Sequence, residues 1–114
     1  MAPHRLFDEL HDLVDSQVDE LAERLTALGG VAEGTVQAAF NCDSLKPYPL
    51  ATRDGRKHLK ALAAALAAFG GLTLPAIGAA SAAGDELSAD LCNEISGEII
   101  KQPWFVEAHL QAQA

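Results

Sequence analysis

The chain has 114 residues, enough for one domain of modest size with a real core. Hydrophobic residues make up 49% and aromatics only 5%, with alanine and leucine dominant, a composition that favours helix over strand. Sixteen acidic residues against eight Lys and Arg give a formal net charge of -8, which argues against nucleic-acid or anionic-membrane binding; such a surface can attract cations, with ordinary solubility charge the plainer reading.

From the N-terminus, Leu6, Leu10, Leu13, Val14, Val18, Leu21, Leu25 and Leu28 recur at three- and four-residue spacing. This periodicity predicts an amphipathic helix over residues 4–28, with Pro3 in its first turn and Gly29-Gly30 as its stop. A linker follows over residues 31–51. Gly34-Thr35 marks the entry to a short helix over 36–42, and Lys46-Pro47-Tyr48-Pro49 cannot continue a helix. A second long helix begins after Thr52 or Asp54, with Leu59, Leu62, Leu66 and Phe69 at core spacing. Gly70-Gly71 and Pro75 predict a kink or break before the pattern resumes to Ala83. The same interruption predicts that no stretch is apolar and long enough to span a bilayer. A turn at Gly84-Asp85-Glu86 precedes a third long helix, capped by Asp85 or Ser88 and bent at Pro103. The fold class expected is all-α: three long helices plus a short linker helix.

Cys42 and Cys92 have no CxxC or Cys/His spacing, so neither a zinc site nor a disulfide framework is expected. With no basic-then-apolar leader at the N-terminus, the reading is a cytoplasmic protein with two reduced thiols and no membrane partner.

The first helix carries the chemistry. At 100° per residue, His4, Asp8, His11, Asp12, Asp15, Asp19 and Glu23 fall within about one-third of its circumference. Carboxylate oxygens mixed with imidazole nitrogen suit iron, manganese or zinc; a solvated acidic face is the plainer alternative. His4 with Asp8, and Asp19 with Glu23, are each i, i+4 neighbours, so either pair can hold a metal from one side. The pairs are about 22 Å apart at 1.5 Å per residue, too far to share one ion within one chain. A two-fold axis near Leu13 and Val14 would bring His4 and Asp8 of one chain opposite Asp19 and Glu23 of another, giving two identical sites per dimer.

The run Leu6-Phe7-Asp8-Glu9-Leu10, then Asp19-Glu20-Leu21-Ala22-Glu23-Arg24 and Leu28-Gly29-Gly30, resembles the second helix of the Dps-type miniferritins, small iron-storage members of the ferritin-like superfamily. The likeness continues through Tyr48-Pro49-Leu50 and through Asp54-Gly55-Arg56-Lys57-His58-Leu59. It ends in Trp104-Phe105-Val106-Glu107-Ala108-His109-Leu110. The resemblance implies a ferritin-like helical bundle in a hollow dodecamer. It implies that Fe(II) is oxidised, preferably by hydrogen peroxide, and stored as ferric mineral. By matching position it implies Asp19 and Glu23 as ferroxidase ligands from one subunit, and His4 and Asp8 as ligands from its two-fold partner. Asp85, Glu86 and Asp90 fall where the family places a three-fold iron-entry pore, although a helix N-terminus alone also favours carboxylates there. The sequence departs from the family in starting at the second helix, without the histidine that the first helix supplies in an H-W-N context. It also lacks the Lys-rich tail with which some members bind DNA. The alternative is a truncated, non-catalytic helical oligomer of the same family.

Overall fold

The computed structural model describes residues 2–112, and those residues contain three long α-helices, one short one and no strand. The chain divides into two compact units, one up to Ser44 and one from Leu45 onward.

The first unit holds α1 (Ala2–Ala27) and α2 (Val36–Cys42). Gly29 closes α1 at φ 89, a conformation costly for any residue with a Cβ. Its N–H bonds the Thr26 carbonyl at 3.0 Å, and the Gly30 N–H bonds the Leu25 carbonyl at 2.9 Å, so carbonyls of the last turn are satisfied. Thr35 caps α2 by accepting from the Ala38 N–H at 3.1 Å, as Gly34-Thr35 suggested.

The second unit holds α3 (Gly55–Ala82) and α4 (Glu86–Ala112), which pack against each other. Asp54 caps α3 through the Arg56 N–H at 3.0 Å. Of the core positions expected on α3, Leu59 and Leu66 are buried and Leu62 and Phe69 half-buried, and on α4 Ile95, Ile99 and Val106 are buried. Gly70 belongs to the same interface. A Cβ there would stand 3.8 Å from the Ile99 side chain, in ordinary van der Waals contact. One cross-link between the helices is polar. The buried Ser96 hydroxyl donates to the Thr73 hydroxyl at 2.6 Å, and Thr73 donates to the Gly70 carbonyl at 2.9 Å.

Two expectations are corrected here. Of the kink or break anticipated in the second long helix, the break is absent, since α3 runs unbroken from Gly55 to Ala82 through Pro75. Pro75 offers no N–H to the Gly71 carbonyl, but both residues lie on the exposed side, where water can take the place of the lost donor. In consequence α3 is, by length and composition, long and apolar enough to cross a membrane. α4 likewise continues through Pro103.

The joint between α3 and α4 is short. Gly84 adopts φ 77 and donates to the Ser81 carbonyl at 3.0 Å, while the Asp85 N–H donates to the Ala80 carbonyl at 2.9 Å. The Asp85 carboxylate then accepts from the Ser88 N–H at 3.1 Å and from the Ser88 hydroxyl, starting α4.

Candidate metal centre on helix α1

Burial on the first helix is confined to the part before Val18, since Val18, Leu21 and Leu25, and Leu28 just after it, are exposed. Leu6, Leu10 and Gln17 are buried, and at 100° per residue they lie opposite the acidic stripe. His4, Asp8, His11, Asp12, Asp15, Asp19 and Glu23 are all exposed. Helical spacing alone therefore delivers seven ligand-type side chains to solvent along one strip.

His4 and Asp8 are brought together. The imidazole Nε2 stands 3.6 Å from the Asp8 carboxylate, with both side chains largely exposed at 83% and 70%. The pair is an ion pair only when His4 is protonated. A neutral His4 instead presents a nitrogen lone pair beside a carboxylate oxygen, two donors for one cation. Asp19 and Glu23 sit four residues apart on the same face. The His4/Asp8 and Asp19/Glu23 pairs remain separated along the helix. Among the described residues, no group of three or more His, Cys, Asp or Glu side chains from one chain converges as a metal cage.

Between the two pairs, His11 Nδ1 approaches the Asp12 carboxylate at 3.5 Å. On the flank of the stripe, Arg5 donates to Glu9 at 3.2 Å. This occupies the Arg5 guanidinium with a carboxylate outside the stripe. Exposed i, i+4 pairs of this kind contribute only a few tenths of a kcal/mol each (about 0.3–0.5).

The three acidic residues proposed for a pore divide. Asp85 is half-buried and its carboxylate is engaged in capping α4, whereas Glu86 and Asp90 are exposed in the first turns of that helix. Of the other histidines, His109 Nδ1 lies 2.9 Å from the Phe105 carbonyl one turn back, as a C-terminal capping residue would. His58 is held by the linker, its Nε2 lying 2.8 Å from the Thr52 carbonyl and its Nδ1 meeting the Tyr48 hydroxyl. Helical periodicity carries no sign of this arrangement, which joins a loop to a helix across ten residues.

The profile of the ferritin-like domain family matches residues 2–113, nearly the whole chain. The chain belongs to the ferritin-like domain family. It is similar to the DNA protection during starvation protein of Agrobacterium fabrum, 34% identical over 114 residues, which cover all of this chain and 70% of that protein. The protein of the same name from Mycolicibacterium smegmatis is 31% identical over 109 residues, 96% of this chain and 59% of the relative. The one from Brevibacillus brevis is 28% identical over 111 residues, 95% of this chain and 72% of the relative. Within the ferritin-like family, the α1 stripe now stands beside the Dps-type relatives that its residues resembled.

Proposed function

We propose that this ferritin-like protein is a soluble, cytoplasmic iron-storage protein that oxidises Fe(II) with hydrogen peroxide or oxygen and retains the ferric product. The observation that carries the reading is the exposed stripe of α1, with the His4 imidazole beside the Asp8 carboxylate and Asp19 and Glu23 on the same face. Iron is here the substrate and the cargo. Two antiparallel copies of α1 across a two-fold axis would set His4 and Asp8 of one subunit opposite Asp19 and Glu23 of the other, twice per dimer. Glu23, a carboxylate with two oxygens, suits a position between two irons.

The chemistry favours paired sites. Hydrogen peroxide takes two electrons in becoming two waters, and each Fe(II) gives one. Two irons held together can therefore reduce one peroxide completely, with two protons consumed and no hydroxyl radical released. A lone Fe(II) supplies one electron and leaves that radical. Carboxylates also favour the product, because hard oxygen donors bind Fe(III) more strongly than Fe(II). Assembly into a closed shell would give the ferric mineral an interior to occupy.

The test is the rate of Fe(II) oxidation by added peroxide, followed by the rise of ferric absorbance in the wild type and in Asp19→Ala and Glu23→Ala. Saturable oxidation well above the buffer blank, reduced on the order of a hundredfold in either variant, supports the reading. Iron consumption no faster than the blank in the wild type removes it and leaves the non-catalytic helical oligomer.

A further inference from the structure

Tyr48 is the chain's only tyrosine, and its hydroxyl meets His58 Nδ1 with the two rings stacked at 5.6 Å between centroids and 18° between planes. The other ring nitrogen, Nε2, lies 2.8 Å from the Thr52 carbonyl. A carbonyl can only accept, so Nε2 carries the hydrogen and the neutral ring presents Nδ1 as a lone pair. The direction of the remaining bond follows: Tyr48 donates its phenolic hydrogen to Nδ1. His58 is in turn fixed in the first turn of α3, its backbone N–H on the Asp54 carbonyl at 3.1 Å. Tyr48 remains 40% exposed, so a solute can reach the ring edge.

A phenol gives up an electron at moderate potential only if its proton leaves as well, because the oxidised phenol is a very strong acid. A base already hydrogen-bonded to the hydroxyl removes the need for solvent to find that proton. We propose that Tyr48 and His58 form a one-electron oxidation site, in which a small radical oxidant takes an electron from the Tyr48 ring while the phenolic proton moves to His58 Nδ1. With hydroxyl radical as oxidant, the Tyr48 O–H bond breaks and an N–H bond forms at Nδ1. The products are a neutral tyrosyl radical, protonated His58 and hydroxide. One electron leaves the ring and one reduces the oxidant. Trp104, the only tryptophan, provides the contrast: it packs edge-on against Phe105, whose ring offers no proton acceptor. The proposal is independent of the iron reading, since neither the site nor its test needs iron.

The test is flash photolysis of the full-length protein with ruthenium(II) tris-bipyridine and a sacrificial acceptor, which generates a one-electron oxidant in solution. Transient absorption and electron paramagnetic resonance then follow the radicals. A tyrosyl signal is expected in the wild type and should be lost in Tyr48→Phe. In His58→Asn its formation should slow on the order of tenfold or more, with added imidazole restoring part of the rate and Trp104 oxidation unchanged. Tyrosyl formation at the wild-type rate in a folded His58→Asn overturns the proposal. Should that variant fail to fold by circular dichroism, the wild type decides. Its radical should show an exchangeable deuteron coupling from Nδ1 in D2O, and a radical without that coupling overturns the proposal equally.

Discussion

His4 and Asp8 show how little is needed to place two donors side by side: one turn of helix, and no tertiary structure at all. That is why the stripe could be read from the sequence. Tyr48 and His58 could not, because their meeting depends on how an irregular linker returns to α3. The intersubunit reading makes a prediction that a site within one chain would not. A His4→Ala/Asp8→Ala variant and an Asp19→Ala/Glu23→Ala variant should each be inactive alone. Unfolded, mixed in equal amounts and refolded, they form mixed dimers in which one of the two sites has all four ligands. Random pairing then restores about a quarter of wild-type Fe(II) oxidation, measured per subunit. No recovery in the mixture would count against ligands from two chains meeting at one centre.

At the level of elements, capping and periodicity were legible, and the effect of proline was not. Thr35 and Asp54 cap α2 and α3, and Gly29 and Gly84 take the left-handed conformations that end α1 and α3. Local chemistry decides such ends, so local sequence reveals them. Whether Pro75 breaks a helix depends on what surrounds it, and α3 continues because the freed carbonyl faces solvent and Leu59 and Leu66 hold the helix against α4. Pro75→Ala should therefore stabilise the protein by about 1–2 kcal/mol, the regained helix propensity being partly offset by a freer unfolded chain. Urea denaturation with an unchanged slope would measure it. The Ser96–Thr73 hydroxyl contact joins residues 23 apart, beyond any periodic signal. Ser96→Ala and Thr73→Val should each cost about 1 kcal/mol, and the double variant less than their sum, in a double-mutant cycle by the same method.

For the whole molecule, the sequence reading of three long helices and one short one holds among the described residues, and the second unit leaves apolar side chains on its surface. Leu72, Leu74, Ile100 and Trp104 are each more than half exposed, well beyond scattered surface leucines. A groove of about 340 Å³ lies between α3 and α4, bounded by Leu66, Gly70, Leu74, Ile100 and Pro103. Apolar area of this kind favours association. Twelve copies of a 12.0 kDa chain would sediment as a particle of about 144 kDa, and a velocity experiment distinguishes that from a monomer or dimer directly. The Gly84–Asp85 joint bears on how fast such a particle could mature. Because Asp85 closes one helix's last turn and opens the next, the contacts between α3 and α4 start from a hinge of almost no length, and most of the chain's contacts are local in sequence. Hairpins of this sort fold within microseconds to milliseconds. Refolding by dilution should then show a rapid gain of helical ellipticity that does not vary with concentration, followed by a slower step that accelerates as more protein is present, so that encounter between subunits limits the overall rate.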